Sequence, residues 1–158
     1  MQSEFFLALT EELHKLGLHV ALDTSGAVTT DEAMRLVSAV DLVLLDIKFT
    51  TDEDYARYTG GSISGALCVL NECEQRKKPV WIRQVIVPGI NDTEENVNAT
   101  AALLRGYGCI ERIELLPFRK LCLEKYKALG IPFPLSDTPA ADVKMVAELE
   151  GMLRERTL

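Results

Sequence analysis

The sequence predicts an α/β fold built from parallel β/α units, about four strands of an open, barrel-like sheet. Three observations predict it. Helical and extended patterns alternate along the whole chain. Four short runs, HVALDTSG, DLVLLDIKF, VWIRQVIVPG and RIELLPF, are rich in aliphatic residues. Each run stops at turn or breaker residues and is followed by a helical pattern. Strands this apolar belong to parallel units covered on both faces.

Each element has its own signal. MQSEFFLALTEELHKLG reads as an amphipathic helix with Phe6, Leu9, Leu13 and Leu16 on one stripe. HVALDTSG is the first strand. TTDEAMRLVSAV opens with a capping box from Thr29 to Glu32 and carries Ala33, Leu36 and Val37 inward. DLVLLDIKF is the second strand, and TTDEDYARYTGG a short helix closed by Gly60 and Gly61. A longer helix from about Ser62 carries Ile63, Ala66, Leu67 and Leu70. It ends in Arg76, Lys77 and Lys78, whose charge suits a helix C-terminus.

VWIRQVIVPG is the third strand, stopped by Pro88 and Gly89, and Asp92 with Glu95 opens the helix after it. RIELLPF is the fourth strand, stopped by Pro117. RKLCLEKYKALG is a polar helical piece. Thr138 and Pro139 start a last helix, with Val143, Val146, Leu149 and Leu153 on its stripe. Residues 1–158 read as one domain without a linker or repeat. The chain opens on a helix and has four strong strands, so two β/α units are missing from the front of a barrel.

Composition excludes several classes. The 158 residues are 47% hydrophobic and 26% charged, as in a globular protein with a core. Seventeen basic residues against twenty-four acidic leave a net charge of −7, which argues against nucleic acid and anionic membranes as partners. No apolar run approaches the roughly 20 residues of a membrane span, and the first residues lack the pattern of a signal peptide. Cys68, Cys73, Cys109 and Cys122 show no CxxC or CxxxC spacing. They read as small buried hydrophobes in a reducing, cytoplasmic setting. His14 and His19 have no metal spacing, and no HExxH, phosphate loop or nucleophile elbow occurs.

Ligands in such folds sit beyond the carboxyl ends of the strands. The residues there are Asp23 and Thr24, Asp46 and Lys48, Val87 to Gly89, and Pro117 to Lys120. Asp46 and Lys48, two apart on a strand, share one face. They read either as a plain ion pair or, with Asp23 at the neighbouring strand end, as a site for a zwitterionic amino acid. Two carboxylates at one mouth need a cation or a ligand amine between them. Arg83, mid-strand among apolar residues, needs a partner. Glu114, mid-strand in RIELLP, is the expected one, either as a buried structural pair or as a pair that also reads a substrate backbone.

The series LHVALDTSG, DLVLLDIK, WIRQVIVPGIND and IELLPF, in this order and spacing, resembles the glycyl-radical-enzyme activating enzymes. These are radical S-adenosylmethionine (SAM) proteins, among them the pyruvate formate-lyase activating enzyme. The resemblance covers nearly the whole chain. It implies the third to sixth units of a partial (β/α)6 radical SAM barrel. The family's cluster-binding CxxxCxxC and its GGE segment do not occur in this sequence, so the chain is expected to begin just after the GGE segment.

By resemblance, Asp23, Asp46, Ile47, Lys48, Val87 and Arg119 are cofactor-binding residues. Lys48 would pair with the SAM carboxylate and Val87 would lie near adenine. Arg119 stands where a histidine contacts SAM in the formate-lyase activase. Arg83 would meet the partner's glycyl loop. Asp23 and Asp46, with the carbonyls of Thr24 and Leu44, would hold a monovalent cation. The activity implied for a whole enzyme is hydrogen abstraction from a glycine of a pyruvate formate-lyase-like partner. A 4Fe–4S cluster and a flavodoxin or ferredoxin-type reductant would supply the electron. The chain alone is expected to be inactive. The alternative is a truncated, non-catalytic binding module for a glycyl radical enzyme. The open sheet edge leads us to expect self-association.

Overall fold

A computed structural model describes residues 2–157. The elements are α1 (Ser3–Lys15), β1 (Ala21–Thr24), α2 (Asp31–Ala39), β2 (Leu42–Asp46), α3 (Asp52–Thr59), α4 (Ser64–Arg76), β3 (Val80–Ile86), α5 (Glu94–Leu104), β4 (Ile110–Pro117), α6 (Leu123–Leu129) and α7 (Val143–Thr157). The four strands form one sheet in the order β1-β2-β3-β4. β1 pairs with β2 and β2 with β3 in parallel, setting Asp23 opposite Leu44 and Asp46 opposite Arg83. The Val80 N–H donates to the Cys109 carbonyl and the Phe118 N–H to the Ile86 carbonyl, so β4 runs the same way as β3. The expected parallel α/β architecture is therefore present.

The chain forms two compact units, Met1–Gln84 with Leu104–Glu114, and Val85–Leu103 with Leu115–Leu158. In the first, Val43, Leu45, Ile47, Val80 and Ile82 are wholly buried, as are Leu70 and Cys73 of α4. Helix α4 packs on β2 and on α2. Each fully buried Val, Leu or Ile contributes about 1.5–3 kcal/mol, so this helix-covered side of the sheet carries the core. Coverage is not equal on both faces. Leu44, Asp46, Trp81 and Arg83 alternate with the core residues and keep intermediate exposure. Their polar and charged groups, laid on one face by the pleat, keep it from being sealed.

Local chemistry explains the helix boundaries. α2 is capped by Thr30, whose hydroxyl accepts from the Ala33 N–H, and not by Thr29. Thr30 has the extended φ/ψ of an N-cap residue, which starts the helix one residue later than the capping-box pattern. α3 is capped by Thr51 and ends at Gly60 with φ +70°. Asp52 Oδ1 accepts from the Ile63 N–H and from the Ser62 hydroxyl, which delays α4 until Ser64.

α1 forms as expected but is turned the other way. It buries Ser3 and Thr10, while Phe6, Leu9 and Leu16 of the apolar stripe are 45%, 39% and 73% exposed. Periodicity defines a stripe but not what lies opposite it, and α1 packs against α2 alone among its larger contacts. The cysteines also divide. Cys73 and Cys109 are buried, Cys122 is intermediate and Cys68 is exposed.

In the second unit, α7 buries Val146, Leu149 and Leu153, while Val143, in its first turn, stays 55% exposed. Glu150 of α7 accepts the Leu115 N–H at 2.8 Å, and the Ala141 N–H donates to the Phe118 carbonyl. These two bonds tie the end of β4 to the approach to α7.

Candidate functional site

The expected strand-end residues of the first unit form a continuous row of charge. Lys48 Nζ lies 2.7 Å from Asp46 Oδ2. Arg83 places Nε and a terminal nitrogen, each at 2.9 Å, on Asp46 Oδ1. The same terminal nitrogen reaches Asp23 Oδ1 at 2.5 Å. The register produces this. Asp46 and Arg83 are opposite one another on β2 and β3, and Asp23 comes from the next strand over on the same face. Two carboxylates, one guanidinium and one ammonium make the row neutral.

Arg83 is the cation that two carboxylates at one mouth require, and this corrects the expected Arg83–Glu114 pair. Glu114 binds Arg112 at 2.5 Å, and Arg112 stacks 4.7 Å from the Trp81 ring centre. Both charges are paired, but each within its own neighbourhood: Arg83 with Asp23 and Asp46, Glu114 with Arg112. Burial works to lower the Arg83 pKa, but the Asp23 and Asp46 carboxylates outweigh it and hold the guanidinium above its ordinary value. Exposure grades along the row, from 18% for the Arg83 side chain and 21% for Asp46 to 34% for Lys48 and 62% for Asp23.

Tyr55 supports Lys48 from behind, which sequence reasoning missed. Its ring is buried, and its hydroxyl oxygen accepts the Lys48 N–H at 2.9 Å. Burial raises its pKa. Phe49 packs edge-on to Tyr55 and stacks on Tyr58. The only signal was an aromatic residue in the otherwise charged first turns of α3. Ile47 has a wholly buried side chain and donates its N–H to the Arg83 carbonyl, so any contact it makes with a ligand is through its backbone. Thr24 accepts the Gly26 N–H on its hydroxyl, closing a small turn directly after β1.

Val87 and Arg119 belong to the second unit. Val87 is buried and its N–H donates to Asn91 Oδ1 at 2.6 Å, while Asn91 Nδ2 donates to the Val85 carbonyl. Asp92 accepts the Gly89 N–H, at a glycine with φ +75°. The VPG turn is thus set by Asn91 and Asp92, the polar pair that closes GIND. Arg119 is exposed.

Among the described residues, no group of three or more His, Cys, Asp or Glu side chains is placed to hold a metal. The cysteines do not fit an iron–sulfur cluster. Burial pushes the Cys73 thiol up to about 11 and the Cys109 thiol up to about 12, the reverse of what a thiolate ligand needs. No helix among the described residues is long and apolar enough to cross a membrane.

Comparison with known proteins adds the following. No family model matches the chain. A pyruvate formate-lyase-activating enzyme from Clostridium pasteurianum is 34% identical over 155 residues, covering 98% of this chain and 65% of that protein. One from Staphylococcus epidermidis is 32% identical over 154 residues, covering 94% and 61%. The chain therefore spans just under two thirds of the length of these curated relatives. Among solved structures, a domain of pyruvate-formate lyase-activating enzyme from Bacteroides vulgatus superposes with a TM-score of 0.77 at 18% identity, covering 99% of this chain and 88% of that one. A radical SAM methyltransferase from Sphaerobacter thermophilus gives 0.61 at 20% identity, covering 92% and 42%. These likenesses carry the fold.

Proposed function

We propose, for a chain that belongs with the pyruvate formate-lyase-activating enzymes, that it supplies the SAM- and partner-binding portion of a radical SAM activase. The observation that carries this reading is the neutral row Asp23–Arg83–Asp46–Lys48, which runs from the ends of β1 and β2 onto the middle of β3. A zwitterion can enter such a row without changing its net charge. The α-ammonium of SAM replaces Lys48 on Asp46, and Lys48 turns to the α-carboxylate. Arg83 keeps Asp46 in place during the exchange, because it holds the other carboxylate oxygen through two nitrogens. The exposed Asp23, paired to Arg83 through Oδ1, then offers its other oxygen to a second N–H of the ammonium, or to a monovalent cation together with the carbonyls of Thr24 and Leu44. Ile47 is proposed as a further SAM contact, and Arg83 as the residue facing a partner's glycyl loop.

For the whole enzyme the proposed activity is formation of a glycyl radical on a pyruvate formate-lyase-like partner, with electrons from a flavodoxin or ferredoxin-type reductant. A 4Fe–4S cluster would supply the one-electron chemistry, and among the described residues no set of side chains fits it. The isolated chain is therefore proposed to bind without reacting. Calorimetric titration with SAM tests the reading. Binding should be saturable and should weaken by at least about tenfold in Asp46→Asn and Lys48→Met, the loss of one charged hydrogen bond. SAM affinity unchanged by both substitutions would remove the proposal. The second reading, a non-catalytic module that binds a glycyl radical enzyme, rests on the same cysteine chemistry. It predicts partner binding without SAM dependence.

A further inference from the structure

A cavity of about 420 Å³ lies in the first unit, and Lys48 and the buried Tyr55 are on its wall. Ser25, Thr29 and Ser64 also line it, and no carboxylate does among the described residues. We infer that this cavity is a binding site for a small oxyanion, a carboxylate or a phosphate group, that shares Lys48 with the proposed SAM site and is otherwise lined by residues the SAM site does not use. Three features of the wall point to an acceptor-rich, negatively charged ligand.

The first is Tyr55, 4% exposed. Its oxygen is occupied as an acceptor by the Lys48 N–H, so what it offers the cavity is its proton. A phenol whose oxygen accepts one bond still carries a proton to donate. The second is a set of hydroxyl protons. The Ser62 proton goes to Asp52, so the Ser64 hydroxyl donates to the Ser62 oxygen, and the free hydroxyls of the wall are those of Ser25 and Thr29. The third is the Lys48 ammonium. Its partner Asp46 is held independently by Arg83, so Lys48 is the member of the row that can be released. The Asp52 carboxylate is committed to the Ile63 N–H and the Ser62 hydroxyl at the start of α4.

The cavity is built by backbone contact, not left by loose packing. Gly26 and Gly65, both on its lining, bring the β1–α2 turn against the first residues of α4. A Cβ on Gly26 would lie 2.7 Å from Ala66 Cα, a separation that real side chains do not reach. The wall that carries Ser25 and Thr29 is thereby fixed against the start of α4.

The test is titration of the chain with sodium phosphate and, separately, sodium acetate at constant ionic strength set by sodium chloride. The readout is the amide NMR shifts of Lys48 and Gly65. Saturable shifts with either anion are expected. Binding should weaken by about tenfold in Tyr55→Phe and in Thr29→Val. Thr29→Val matters because it leaves the Tyr55–Lys48 bond intact, so a folding defect in Tyr55→Phe does not decide the outcome. Saturation by phosphate alone assigns a phosphoryl ligand, and saturation by acetate alone a carboxylate. Shifts that chloride reproduces, or anion binding indifferent to Thr29→Val, would overturn the site. SAM titration of the same Thr29→Val protein separates the two proposals, since the charge row does not use that hydroxyl.

Discussion

Arg83 grips Asp46 with two nitrogens on a single carboxylate oxygen, each at 2.9 Å, and leaves the other oxygen to Lys48. This makes Asp46 the hub of the row. Every other charge either contacts it or contacts the residue that does. Asp23, at the far end, pairs with Arg83 and is 62% exposed.

The unequal burial predicts an unequal cost of removal. Asp46→Asn leaves a part-buried guanidinium without its principal counter-charge. It should cost about 2–3 kcal/mol, below the usual 3–5 for a sealed pair because both side chains keep about a fifth of their exposure. Asp23→Asn should cost under about 1 kcal/mol, the range of an exposed pair. Urea denaturation at neutral pH measures both. Equal losses would mean that the row is not organised around Asp46.

A double-mutant cycle checks the corrected pairing. Arg112 with Glu114 should couple by about 0.5–1 kcal/mol, and Arg83 with Glu114 by nearly nothing. The correction also shows what was legible. Arg83 sits among aliphatic residues, so its need for a partner was readable from VWIRQVIV. The identity of that partner depends on register, and register is set across strands by packing that no local pattern encodes. The strands, their order of use and the Asp46–Lys48 contact followed from periodicity two. The outward turn of the α1 stripe and the role of Tyr55 depend on what packs opposite them, which periodicity does not contain.

Thiol reactivity should follow burial. Cys68 should be alkylated first and Cys122 next, with Cys73 and Cys109 protected until unfolding. Mass spectrometry of iodoacetamide adducts at mildly alkaline pH reads the order. The two raised thiol values also predict alkaline instability. Below about pH 9 both states hold these protons. Between the unfolded value near 9 and folded values of about 11 and 12, only the native state keeps them, so stability falls as pH rises. Cys73→Ala with Cys109→Ala should flatten that fall.

The exposed stripe of α1 predicts self-association. Leu9 and Leu16 of the stripe are 39% and 73% exposed, Phe5 beside it is 59% exposed, and β1, with every residue half-buried or exposed, lies at the sheet edge. Sedimentation velocity should show concentration-dependent assembly. A Phe5→Ser, Leu9→Ser, Leu16→Ser protein should shift to monomer while changing stability by less than about 0.5 kcal/mol per site. A wild-type chain that stays monomeric at high concentration would end this expectation.

Two glycines on helices should respond in opposite directions to the same substitution. Gly151, inside α7, has nothing within 4 Å of a built Cβ. Gly151→Ala should therefore stabilise by about 0.5–1 kcal/mol, the helix propensity difference. Gly65, in the first turn of α4, would place its Cβ on the Gly26 carbonyl, which is backbone and cannot rotate away. The propensity gain there competes with an overpacking cost of about 1–3 kcal/mol, and overpacking wins because Gly26 is itself held at φ +69° against Ala66. Gly65→Ala should thus destabilise by about 1–2 kcal/mol in urea and disturb the turn that follows Asp23 and Thr24. A stabilised Gly65→Ala protein would mean that the turn and α4 are not in backbone contact, and the oxyanion cavity would lose its fixed wall.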